Sequence, residues 1–160
     1  MMAGDANILQ TIAARTRERV AAEKSVHTLA EVAAMASKMA SQGPGFPFEA
    51  ALRAPGMSFI CECKKASPSK GLISPAYNPV ATACDYEAAG AAAISCLTEP
   101  TWFQGSDADL SAIAGAVSIP VLRKDFVVDE YMVYQARAIG ASAVLLICSI
   151  LDDDQLGSYV

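Results

Sequence analysis

The sequence predicts an α/β fold built on a parallel sheet. From residue 57 onward, short apolar segments alternate with segments of helical pattern, one pair about every 25–30 residues. The hydrophobic fraction is 53%, slightly above the usual ~45–50%, and comes mainly from alanine and short apolar runs. Such runs are expected where strands are covered on both faces.

The elements follow in order. Residues 5–40 read as helical. Ile8, Leu9 and Ile12 open an apolar face, and Thr28 is placed to cap a second helical stretch carrying Leu29, Val32, Met35 and Met39. Gly43-Pro44-Gly45-Phe46-Pro47 ends the helix as a linker, and residues 48–52 read as a short helical turn. Residues 58–64 read as a strand and 65–78 as a polar Ser/Pro/Gly loop. A helix spans 79–90, with Pro79 at its start. Residues 91–97 form a strand. Ser106 caps a helix over 107–117. A strand covers 119–123 and a helix 129–139, stopped by Gly140. Residues 143–148 are an almost unbroken apolar strand, and Asp152 starts a further helix.

The order is βα repeated four times behind a helical extension. It predicts the first half of a (β/α)8 TIM-type barrel over residues 57–160, preceded by a helical N-terminal extension over 1–56. A doubly wound sheet is the runner-up, but no Gly-x-Gly-x-x-Gly follows any strand, so dinucleotide binding has no motif behind it. A full barrel takes roughly 200–250 residues or more. Four units leave two open sheet edges. The 160 residues are therefore expected to be part of a longer protein, or a half that pairs with another.

Composition narrows the function classes. Net charge is −5, from 12 Lys+Arg against 17 Asp+Glu, which gives no reason to expect a nucleic-acid or anionic-membrane partner. No apolar run reaches the roughly 20 residues that span a bilayer, and residues 1–10 do not read as a secretory signal. The five cysteines (Cys61, Cys63, Cys84, Cys96 and Cys148) lie mostly in apolar runs and read as buried, reduced thiols of a cytoplasmic protein. Cys61-x-Cys63 lacks zinc spacing and the single His27 is remote, so no metal site is expected.

Side chains at i and i+2 of a strand share a face. Ile60, Glu62 and Lys64 then point one way, and Phe59, Cys61 and Cys63 the other, toward covering helices. Charges facing a barrel interior near a strand's C-terminal end are either a structural ion pair or part of a site. The Ser67–Gly71 loop offers hydroxyls, a lysine and a glycine to an anionic substrate, or is a solvated turn. Lys124, sharing the inner face with Leu122 while Arg123 lies opposite, can be a desolvated general acid or a rim lysine paired with Asp125 or Asp129. Trp102 and Phe103 can stack on an aromatic ring at the barrel mouth or pack within their loop.

Three blocks then line up. Phe59-Ile60-Cys61-Glu62-Cys63-Lys64-Lys65-Ala66-Ser67-Pro68-Ser69-Lys70-Gly71 resembles the first-strand signature of indole-3-glycerol-phosphate synthases. Ser95-Cys96-Leu97-Thr98-Glu99-Pro100-Thr101-Trp102-Phe103-Gln104-Gly105-Ser106 resembles their second-strand block, although Pro100, Thr101 and Trp102 depart from its commoner residues. Pro120-Val121-Leu122-Arg123-Lys124-Asp125-Phe126 resembles the third. Leu145-Leu146-Ile147 fits the fourth, and the N-terminal helices resemble the extension such enzymes carry.

The resemblance implies a carbon–carbon lyase of tryptophan biosynthesis. Its members close the pyrrole ring of 1-(2-carboxyphenylamino)-1-deoxyribulose 5-phosphate with loss of CO₂ and water, using no metal or organic cofactor. It implies Lys124 as general acid, Glu62 as the carboxylate supporting the cationic intermediate, and Lys64 as a ligand of substrate anions. Ser67 matches the serine of the mobile loop, and Phe103, Phe126 and Leu145 match the lining of the anthranilate pocket. It places a second carboxylate on a fifth strand and most phosphate contacts after the seventh and eighth, so residues 1–160 alone are expected to be inactive. A phosphorylated small molecule is the expected partner, with a fused or associated tryptophan-pathway enzyme as a further candidate. Two other readings are another phosphate-binding barrel enzyme, such as a pathway isomerase, and a non-enzymatic half-barrel acting by dimerisation.

Overall fold

A computed structural model of the chain describes residues 7–41 and 47–160. Two helices open it, α1 (Ile8–Val26) and α2 (Leu29–Ala40), followed by the short α3 (Pro47–Leu52). The helical stretch expected over 5–40 is broken at His27, whose backbone is extended. Thr28 is the cause: its hydroxyl accepts from the Glu31 amide while Glu31 accepts from the Thr28 amide, a reciprocal cap that starts a new helix. Residues 5–6, and 43–46 of the expected linker, lie outside the described residues, and Pro47 already belongs to α3.

The βα repeat follows. It consists of β1 (Ile60–Cys63), the paired β2 (Ala66–Ser67) and β3 (Gly71–Leu72), α4 (Pro79–Ala88), β4 (Ala93–Leu97), α5 (Asp107–Ala116), β5 (Val121–Lys124), α6 (Glu130–Ala138), β6 (Ala143–Val144) and α7 (Asp153–Tyr159). Each of these helices starts on a side-chain cap: Asn78, Ser106, Asp129 and Asp152 accept from amides of the first turn. Gly140 ends α6 at φ 101°, a backbone conformation that side chains rarely tolerate.

The main sheet has order β1-β4-β5-β6, all parallel. Strands therefore add on one side in chain order, with no reversal. A doubly wound sheet needs a reversal to place helices on both faces. Here Cys63, Ile94, Cys96 and Val121 pack with Ala83, Leu110, Ile113 and Ala136 of α4, α5 and α6 in one core. That is one helix layer outside one curved sheet, as in the first half of a (β/α)8 barrel.

Four expectations are corrected. Residues 65–78 are not only loop, because Ala66–Ser67 pairs antiparallel with Gly71–Leu72 around the turn. The strand expected over 143–148 is confined to Ala143–Val144: β5 ends at Lys124, so after the Leu145 amide bonds to the Arg123 carbonyl the ladder has no further partner. Phe59, expected against helices, is 61% exposed and stands one residue ahead of β1. Cys148 is likewise exposed, while Cys63 and Cys96 are buried and all five cysteines are unpaired. Burial pushes the Cys63 thiol up to about 11, so it acts as a small apolar filler.

α1, α2, α6 and α7 share a second core around Ile12, Val20, Val32, Tyr131 and Met132, with Trp102 and Phe103 packed against it. Its polar lid is an ion network. Arg123 is fully buried and donates to Thr98 Oγ1 (3.2 Å), Gln135 Oε1 (2.8 Å), Asp107 Oδ1 (2.8 Å) and the Met132 carbonyl (3.3 Å). Every buried side-chain nitrogen and oxygen among the described residues has a partner.

Removing one member of such a network leaves its partners charged and dry. Arg123→Met is expected to destabilise the protein by about 3–5 kcal/mol. Urea unfolding measures this, and a loss below about 1 kcal/mol would show the network to be dispensable.

Candidate active site

Strand register puts the inner-face residues in rows. Glu62 pairs with Ser95 and Ser95 with Leu122; one row further, Leu97 pairs with Lys124. Glu62 and Lys124 are thus on strands separated by β4. On the inner face of β4 between them stand Ser95 and Leu97.

Lys124 Nζ donates to Glu62 Oε2 at 2.8 Å, and Lys64 Nζ to Glu62 Oε1 at 2.7 Å. One carboxylate therefore holds two lysines, one on each oxygen. All three side chains are about one-third exposed, which suits a site open on one side. Burial alone would raise the Glu62 pKa; the hydrogen bonds and charges of Lys124 and Lys64 outweigh it and hold the carboxyl below its usual range.

Lys124 does not pair with Asp125 or Asp129, the rim partners open to it from the sequence. Each of those already has a cation. Asp125 accepts twice from Arg19 Nη2 of α1, at 2.9 and 3.1 Å, and Asp129 accepts from Lys24 at 2.7 Å. Asp125 also accepts from Thr98 Oγ1 (2.8 Å) and the Phe126 amide (2.8 Å). The residue following Lys124 is thus fixed from four directions, with Arg123 Nη2 as the fourth at 3.6 Å.

Beside Lys124 is a small apolar hollow of about 80 Å³ lined by Leu97, Phe103, Lys124, Asp125, Phe126, Leu145 and Ile147. The Phe103 and Phe126 rings are tilted at 41° with centroids 6.3 Å apart. The structure thus brings Lys124, Phe103, Phe126 and Leu145 around one space and links Glu62 and Lys64 to it through Lys124. Ser67 does not line this hollow; its Oγ accepts from the Lys70 amide at 3.3 Å in the turn between β2 and β3. Trp102 does not line the hollow and packs against the second core.

Sequence reasoning missed Arg19, Thr98 and Asp107 as supports of the site. One signal was available. Alternation put Arg123 on the helix-facing side, and a charge there requires buried partners.

The Glu62 interactions carry a pH signature. A carboxyl held low in the folded state stabilises it above the unfolded value of about 4.3 and loses that contribution as pH falls through the lower folded value. Glu62→Gln is therefore expected to lower stability by more at pH 6 than at pH 3. An equal stability difference at both pH values in urea unfolding would contradict the double lysine clasp.

The family model described as Indole-3-glycerol phosphate synthase matches residues 9–160. The chain is 52% identical to the indole-3-glycerol phosphate synthase of Ruminiclostridium cellulolyticum, over 96% of this chain and 58% of that protein. It is 47% identical to the one of Endomicrobium trichonymphae, over 96% and 59%, and 45% identical to the one of Lachnoclostridium phytofermentans, over 96% and 60%. The chain thus spans somewhat under two thirds of the length of these curated relatives. It belongs to the indole-3-glycerol phosphate synthase family.

Proposed function

We propose that the protein carrying this chain is an indole-3-glycerol-phosphate synthase, acting without metal or organic cofactor on 1-(2-carboxyphenylamino)-1-deoxyribulose 5-phosphate. The observation that carries the reading is Lys124, held by Glu62 at the edge of a hollow walled by two phenylalanines.

The roles follow from the chemistry. The aromatic ring of the substrate sits between Phe103, Phe126 and Leu145. Its ring carbon attacks the ketone, forming the new carbon–carbon bond, and the ketone oxygen takes a proton from Lys124. Positive charge develops on the anilino nitrogen and ring, and the Glu62 carboxylate lowers the energy of that charge. Loss of CO₂ returns the electron pair to the ring, and loss of the new hydroxyl as water, together with a proton from the neighbouring methylene carbon, forms the double bond that completes the indole. Lys64 pairs with a substrate anion, and Ser67 contributes from its loop. Residues 1–160 supply the acid side of this site. The further barrel units of the longer protein supply a second carboxylate and the phosphate cradle.

A positioned general acid contributes about 10²–10⁴-fold to a rate. In the full-length protein, Lys124→Ala is expected to cut kcat by at least that range while circular dichroism shows an unchanged fold. Indole fluorescence of the product provides the assay. Near-normal turnover in Lys124→Ala would remove the assigned role, and turnover by residues 1–160 alone would remove the division of the site between two halves.

A further inference from the structure

Glu99 follows the end of β4 and is only 3% exposed, yet it is a carboxylate. Its partners are backbone amides rather than a cation. Oε1 accepts from the Thr101 amide at 2.9 Å, and Oε2 accepts from the amides of Trp102 at 2.7 Å and Phe103 at 3.0 Å. Three successive amides converging on one carboxylate form an anion nest built by the protein around its own side chain. Arg15 and Arg19 face Glu99 only across an open hollow of about 340 Å³.

The turn it holds is tightly constrained. The Gly105 amide donates to the Glu99 carbonyl at 3.0 Å, closing the loop on itself. A side chain at Gly105 would stand against the Leu97 carbonyl, 2.7 Å from its carbon. Gln104 takes a left-handed backbone, φ 52°, to complete the turn. The product of this geometry is Phe103: its ring lines the hollow beside Lys124, and its carbonyl accepts from the Ala66 amide at 3.2 Å, tying down the loop that contains Ser67.

A buried charge costs more than a neutral group of the same shape. Charge is used here because three donors need a strong acceptor with two oxygens, which an amide side chain cannot present. We infer that Glu99 is a positioning residue for substrate binding, acting through Phe103 and, beyond it, through the Ala66–Ser67 segment. Lys124 and Glu62 reach each other without it, so its loss weakens the aromatic wall of the site and leaves the acid in place.

The inference rests on the proposed synthase reading, and two readouts on the full-length protein separate them. In Glu99→Gln, KM for the anilino-deoxyribulose phosphate is expected to rise roughly 10- to 100-fold with kcat little changed, the pattern of lost uniform binding. Glu99→Asp, which keeps the charge but withdraws it by one methylene, is expected to recover part of the loss. Independently of activity, the amide proton signals of Trp102 and Phe103 should move upfield in Glu99→Gln, because their acceptor has weakened, and that of Ala66 should shift as the Phe103 carbonyl it donates to moves. If Glu99→Gln fails to fold, the same KM and amide changes, in smaller measure, are required of Glu99→Asp. Unchanged KM, or a loss confined to kcat, overturns the inference, as do unmoved amide signals. Absence of synthase turnover in the wild-type protein instead overturns the functional reading, while the amide signals still decide whether Glu99 holds Phe103.

Discussion

The Asp125 carboxylate is the point at which fold and site are joined. It is fully buried and accepts from Arg19 on α1, from Thr98 after β4, and from the amide of Phe126. Through Thr98 it is linked to Arg123, which reaches α5 at Asp107 and α6 at Gln135. A carboxylate in this position is stable only when all its partners are present together. The network therefore demands that α1, β4, β5, α5 and α6 assemble as one unit. Asp125 lies between Lys124 and Phe126, so the same demand fixes where the lysine and the aromatic wall stand. In this reading the N-terminal extension is part of the site's support as well as of its cover.

The parallel order of the sheet does the complementary work. Strands added in chain order put helices on one face and leave the other free for polar groups. On the helix face the sheet carries Cys63, Ile94, Cys96 and Val121. On the opposite face the rows hold Glu62, Ser95, Leu97 and Lys124. The sheet thus separates packing from chemistry by the two-residue alternation of its strands.

Much of this was legible in the residues. The βα alternation, the caps at Thr28 and Ser106, and Gly140 as a helix stop all act locally, so sequence suffices to read them. The facing of Glu62, Lys64 and Lys124 followed from strand alternation for the same reason. What sequence could not supply was pairing across distance. Arg19 and Asp125 are 106 residues apart, and Glu62 and Lys124 are 62 apart. Lys124 was open to Asp125 and Asp129 as partners until the structure showed both already engaged. Ser67 was grouped with the lysines through resemblance, and in the structure its Oγ accepts from an amide of its own turn. The strand over 143–148 was overextended because an apolar run does not reveal where its ladder partner ends.

The central claim is that Lys124 meets the substrate's ketone oxygen while the aromatic ring lies between Phe103 and Phe126. The most direct measurement is a crystal structure of the full-length protein with a substrate analogue whose ketone is reduced to an alcohol and so cannot close. The account predicts Lys124 Nζ within about 2.7–3.2 Å of that hydroxyl oxygen, hydrogen-bonding distance, with the ring against both phenylalanines. An analogue bound with its hydroxyl facing a different side chain, and Lys124 still engaged only by Glu62, would contradict it.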